Sequence, residues 1–173
     1  KARRPFVIDE SSLLDSTILI VDDQASNVML LQQILTQAGY TNLISTQKPL
    51  EVLGLYRKHR PELVLLDLNM PQLDGFGVMK QLKEEEKDSY IPVLVLTAVD
   101  HPTVRHRALS AGARDFLGKP LDVSEVVCRI RNMLEVRILH RQSREYSRIL
   151  GEQVRERTKE LEDTRREVIH RLG

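Results

Sequence analysis

Three acids, a hydroxyl and an amine occupy comparable places along the chain. Asp22 and Asp23 close the run "TILIVDD", Asp67 closes "ELVLLD", Thr97 closes "PVLVLT", and Lys119 with Pro120 follows "RDFLG". Carboxylates and backbone carbonyls are hard oxygen ligands that suit Mg²⁺. No His or Cys cluster has the ligand spacing of a zinc or iron site. An Asp carboxylate can attack phosphorus and form an aspartyl phosphate. Such a transfer depends on positioning and charge neutralisation more than on acid–base groups. Asp67, central in the expected sheet, is the expected acceptor. Mg²⁺, the Lys119 ammonium, the Thr97 hydroxyl and nearby backbone N–H groups would neutralise the phosphoryl oxygens. Taken singly, the acids read as caps or turn residues, Thr97 as a strand residue and Lys119 as a solvated side chain. Their recurrence, each after its own strand, makes coincidence a poor account.

The surrounding pattern supplies those strands. Short apolar runs at 17–22, 41–46, 62–67, 92–98 and 114–118 alternate with helical spacings at 26–39, 49–60, 75–87, 102–113 and from 122 onward. Leu63 to Leu66 form a continuous apolar run, the mark of a strand buried on both faces. In 26–39, Val28, Leu31, Ile34, Leu35 and Ala38 share a face and Gly39 ends the helix. Alternation at this spacing predicts an α/β fold, a doubly wound parallel sheet with right-handed crossovers. The flavodoxin-like strand order 2-1-3-4-5 is the natural expectation. Ligands of such sheets bind at the carboxyl ends of the strands, where the five polar residues fall.

Composition narrows the classes. The chain has 173 residues, 41% of them hydrophobic, with a formal net charge of +1. That length and composition fit one packed domain with an appendage, and the balance of charge gives no support for a nucleic-acid partner. Cys128 is the single cysteine, so there is no internal disulfide, which fits a reducing, cytoplasmic setting. No apolar run reaches the length of a membrane span. The basic start "KARRPFVIDE" has no apolar core of a secretory signal, and a start at Lys1 rather than Met suggests a fragment or processed chain. Cys128 reads as a small core residue, Met29, Met70, Met79 and Met133 as packing residues, and His101 and His106 as solvated helix residues. Gly75, after Asp74, reads as a backbone device at a turn leading into a helix.

The motifs "ILIVDDQ", "LVLLDLNMPQLDGFGVM", "VLVLTA" and "AGARDFLGKPLD" make residues 17–135 resemble a receiver domain of two-component response regulators. The resemblance implies a phosphoryl group taken from a sensor histidine kinase or phosphotransfer protein. It implies that Asp23, Asp67 and the backbone carbonyl of Asn69 bind Mg²⁺, with Asp22 acting through water. Lys119 would bind the phosphoryl group, the Lys119–Pro120 bond would be cis, and Thr97 and Phe116 would be the switch pair. Many members carry Tyr at the position of Phe116, so a hydrogen bond made by that hydroxyl is lacking here.

The expected boundaries are an arm at 1–16, the receiver at 17–135 and a helical linker at 136–173. The tail is rich in Arg and Glu, with apolar residues Leu139, Tyr146, Leu150, Val154, Leu161, Val168 and Leu172 at spacings of four or of seven, the sum of three and four. Gln142, Thr158 and Arg165 interrupt that seam, and the spacing departs from a heptad. A solitary helix this polar is marginal, so a parallel coiled-coil homodimer is expected. The mixed charge gives no basic stripe for DNA, and no helix-turn-helix follows. "RERTKELEDTRREVIHRLG" resembles the linker that opens an HD-GYP cyclic-di-GMP phosphodiesterase domain. Similar linkers precede diguanylate cyclase and histidine kinase modules. The chain itself reads as a phosphoacceptor without turnover. Its alternatives are an adaptor acting through protein–protein contacts and a degenerate receiver serving only to dimerise.

Overall fold

The computed structural model describes residues 8–86, 91–99 and 101–173. Residues Ile8–Ile138 form one compact unit, and Leu139–Gly173 fall in a second. In the first, five strands alternate with helices: β1 (Ile18–Val21), β2 (Leu43–Thr46), β3 (Leu63–Asp67), β4 (Val93–Thr97) and β5 (Asp115–Gly118). All strand pairings are parallel and the order is β2-β1-β3-β4-β5. This is the expected doubly wound sheet.

Every residue of β1, β3 and β4 is buried, because helices cover both faces and strand side chains alternate between them. Ile18, Ile20, Leu63, Leu65, Leu94 and Leu96 face one core, shared with α2 (Ala25–Gln37) and the start of α6 (Val123–Leu172). Leu19, Val21, Val64, Leu66, Val93 and Val95 face the other, shared with α3 (Val52–His59), α4 (Gly75–Glu85) and α5 (Pro102–Ser110). On α2, Val28, Leu31, Ile34 and Leu35 are buried, and Gly39 turns the chain at φ +95°, a conformation that favours glycine.

Several expectations are corrected. Within the arm at 1–16, residues 10–14 form α1 (Glu10–Leu14), whose Leu13 is 1% exposed in the core; residues 1–7 lie outside the described set. Arg131 of α6 also holds Glu10 through two bonds of 3.0 and 2.7 Å. Cys128 is exposed. The buried stripe of α6 runs through Val126 and Ile130, and a residue two positions from each lies about 200° around the helix. Met29 is 68% exposed for a similar reason, standing next to buried Val28, whereas Met70, Met79 and Met133 are buried. His101 precedes α5 and caps it, its Nδ1 accepting from the Thr103 N–H at 3.3 Å. The helix expected over 75–87 ends at Glu85, and Lys87 lies outside the described residues. Among the described residues no helix is long and apolar enough to cross a membrane.

Candidate functional site

The parallel register carries the polar residues to one edge. Asp67 pairs with Leu96 and Thr97 with Gly118, so β3, β4 and β5 end side by side and Lys119 leaves at that edge. Its backbone N–H donates to the Thr97 carbonyl at 2.8 Å, which fixes where the side chain starts. The Lys119–Pro120 peptide is cis. The Lys119 ammonium donates to Asp22 Oδ2 at 2.9 Å and to Asp67 Oδ1 at 3.2 Å.

Asp22 is fully buried and its carboxylate is heavily engaged. Oδ1 accepts from the Gln24 N–H at 2.9 Å and from Asn27 Nδ2 at 3.1 Å, and Oδ2 accepts from Asn27 at 3.0 Å. Asn27, in the first turn of α2, was not singled out in the sequence. Its signal is one amide among several on a polar stretch, and only the entry of α2 turns it back onto Asp22. Asp23 differs: its Oδ1 is a buried atom with no hydrogen-bond partner. Carboxylate oxygens of Asp22, Asp23 and Asp67 lie within 4.8 Å of one another.

Three acids so close repel, and burial opposes their ionised forms. Burial accordingly raises the Asp67 carboxyl above the ordinary carboxylate range; the Lys119 charge pulls it back, and Asp22 and Asp23 push it further up. Burial alone would lower the Lys119 ammonium, but its bond to Asp22 and the charges of Asp67 and Asp22 outweigh that, leaving it above an ordinary lysine. The donor set therefore fits a hard divalent cation: several carboxylate oxygens, one of them unpartnered, beside a single ammonium.

The β3–α4 junction is held tightly against Asp67. Asp74 caps α4 by accepting from the Gly77 N–H at 2.8 Å, and the Gly75 N–H donates to the Leu68 carbonyl at 3.0 Å. A Cβ on Gly75 would lie 2.6 Å from the Asp67 carbonyl oxygen and 2.8 Å from Leu68 Cα, so this helix start lies directly against the end of β3. Asn69 is exposed at the same edge and lines, with Thr97, Val99 and Arg107, a cavity of about 440 Å³. Thr97 is buried, and its hydroxyl accepts from the Val99 N–H at 3.1 Å. Phe116 is buried with the Arg105 guanidinium 3.9 Å from its ring centre. The tail residues Leu139, Tyr146, Leu150, Val154, Leu161 and Val168 belong to α6 and are exposed.

Residues 18–131 match a family model described as response regulator receiver domain. The chain is 39% identical over 117 residues to the probable transcriptional regulator ycf27 of Porphyridium aerugineum, a match covering 68% of this chain and 47% of that protein. It is 35% identical to the response regulator PleD of Caulobacter vibrioides, covering 73% of this chain and 28% of PleD. With the polar-differentiation response regulator DivK of Brucella anthropi it shares 31% identity, over 70% of this chain and 98% of DivK. Among solved structures, a putative response regulator from Chloroflexus aurantiacus superposes with a TM-score of 0.65 at 31% identity, covering 69% of this chain and 98% of that one. The chain thus spans less than half the length of ycf27 and PleD.

Proposed function

The chain belongs to the response regulator receiver domain family, and from that membership and the site we propose that Asp67 is its phosphoacceptor. The observation that carries this reading is the placement of Asp67, which shares the Lys119 ammonium with Asp22 at the open edge of the sheet. An Asp67 oxygen attacks phosphorus while the bond from phosphorus to the donor breaks. The donor is a phosphohistidine of a sensor kinase or phosphotransfer protein, and it keeps the bonding electron pair. Lys119 holds the incoming phosphoryl oxygens, and the Thr97 hydroxyl turns to them.

Asp23, Asp67 and the Asn69 carbonyl would hold Mg²⁺. Asp22 would reach it through water, because its oxygens already accept from Asn27, Gln24 and Lys119. Bound there, Mg²⁺ supplies positive charge to the acids and to the phosphoryl oxygens. Thr97 and Phe116 form the switch pair, with burial of the Phe116 ring taking the place of a hydroxyl contact. Acetyl phosphate or beryllofluoride with Mg²⁺ should modify the wild type and leave Asp67→Ala unmodified; equal modification of both would sink this assignment.

The receiver assigned to 17–135 acts in the cytoplasm and signals through the linker at 136–173. That segment pairs with a second copy as a parallel homodimer through Leu139, Tyr146, Leu150, Val154, Leu161 and Val168. The partner module is an HD-GYP cyclic-di-GMP phosphodiesterase domain, a reading supported by the tail "RERTKELEDTRREVIHRLG". Coding sequence after Gly173 that lacks HD and GYP motifs would exclude it, in favour of a diguanylate cyclase or histidine kinase module. A receiver–coiled-coil adaptor is the second reading, favoured by a relative, DivK, that is covered over 98% of its length.

A further inference from the structure

The exposed leucines of α6 fall at one repeating interval. Leu139, Leu150, Leu161 and Leu172 are each eleven residues apart. Written in elevens, the helix reads "LHRQSREYSRI", "LGEQVRERTKE" and "LEDTRREVIHR", and then Leu172. Each segment opens with Leu, carries Gln or Thr at its fourth place and Arg-Glu at its sixth and seventh. The repeat begins where the first compact unit ends, at Ile138. All four leucines are exposed, from 37% at Leu139 to 83% at Leu172.

A seven-residue frame does not describe this helix. Counted in sevens from Leu139, it places Gln153, Glu160 and Glu167 on the line of contact. Eleven residues make three turns of about 3.67 residues, close to the roughly 3.6 of a straight helix but on the opposite side from the 3.5 of a heptad. In the eleven-residue frame the first, fifth and eighth places cluster within about 35° of one line. Those places hold the four leucines with Tyr146, Val154 and Val168. The Arg-Glu steps fall on the far side of the helix. The ion pairs Arg148–Glu145, Arg148–Glu152 and Arg171–Glu167, at 2.6, 2.6 and 2.7 Å, lie within the one helix and away from the leucine line.

We propose that the occupant of this face is a second copy of the chain, paired in parallel and in register on an eleven-residue frame, so that the two helices run nearly straight or with a slight right-handed twist. This rests on the parallel dimer proposed above and specifies its contact line. A partner must repeat at the same interval over three segments, which a second copy does by construction. The flanking places are compatible with self-pairing. The places flanking the leucines bring Gln142 toward Ser147 and Gln153 toward Thr158 of the copy, five residues on, and these four residues are uncharged. Arg157 and Arg165 interrupt the apolar face and would meet their own copies, their long stems carrying the charge outward; the pairing is therefore modest in strength.

Leu150→Cys, Gln153→Cys, Val154→Cys, Glu160→Cys and Leu161→Cys, each alone in the full chain with Cys128→Ser, test this by oxidation with diamide, because a disulfide needs Cα atoms within about 7 Å. The expected result is homodimer crosslinking several-fold faster at 150, 154 and 161 than at 153 and 160. Fastest crosslinking at 153 and 160 would overturn the eleven-residue frame and leave the dimer standing. A crosslink between Leu150→Cys and Leu161→Cys chains, where neither crosslinks with itself, would overturn the parallel arrangement. No crosslink at any position, with a monomer mass by sedimentation, would overturn the dimer itself.

Discussion

The Lys119 ammonium stands 3.2 Å from the Asp67 carboxylate, reaching it across the end of β4, which lies between the strands that carry them. The same ammonium is 2.9 Å from Asp22. One cation thus serves two buried acids, and its loss leaves both uncompensated.

Lys119→Met is therefore expected to destabilise the unit by about 3–5 kcal/mol in metal-free buffer, the usual cost of removing one partner from a buried ion pair. Urea unfolding in a chelator measures it. The double variant with Asp22→Asn should recover part of the loss, and a change below about 1 kcal/mol in Lys119→Met would contradict the geometry.

Asp23 tests the cation site. Its Oδ1 is buried without a hydrogen-bond partner, a position that a divalent cation would satisfy. Magnesium chloride should raise the thermal midpoint of the wild type, through a gain in unfolding free energy of up to about 2.7 kcal/mol at a hundredfold excess over Kd. Asp23→Asn should lose most of that gain. Equal gains in both, followed by circular dichroism, would remove Asp23 from the site.

Two glycines on helices should respond in opposite senses to alanine. At Gly54 nothing lies within 4 Å of an added Cβ, so Gly54→Ala should stabilise α3 by about 0.5–1 kcal/mol through helix propensity. At Gly75 the new atom meets the Asp67 carbonyl oxygen and Leu68 Cα. Gly75→Ala should cost about 1–3 kcal/mol and displace Asp67. Matching shifts from the two variants would refute the close approach.

Tyr56 sets an alkaline limit. It is 2% exposed, and burial, then its bond to Glu86 and that group's charge, push its phenol up to about 12. The folded state holds this proton more tightly than the unfolded chain, so the stability it contributes is intact below about pH 10. It is lost as pH rises from there through 12, costing about 2–3 kcal/mol in all. Unfolding free energies measured between pH 9 and 12 should fall more steeply for the wild type than for Tyr56→Phe.

Much of this fold was legible because its strands are buried on both faces. A run such as Leu63–Leu66 ending in Asp67 admits few other readings, and the alternation with helices fixes a parallel sheet whose carboxyl edge collects the acids. What escaped were features that a short or mismatched period conceals. Helix α1 is five residues long, too short to display a helical period, so Leu13 gave no sign of its burial. Cys128 and Met29 are apolar residues standing one or two places off a buried stripe, a phase error that composition cannot reveal. Asn27 acts on Asp22 only through the way α2 begins. The leucines of the tail looked irregular against a spacing of seven and become regular at eleven.

Asp22 and Lys119, joined at 2.9 Å, are 97 residues apart in the chain. One stands after β1 and the other after β5, so the pocket closes only when β1, β3, β4 and β5 lie side by side. A nascent or partly unfolded chain holds the acids without their cation. Parallel sheets are assembled from such distant pairings. Competence to receive a signal is thereby tied to completed folding: the domain inspects its own integrity before it can be addressed.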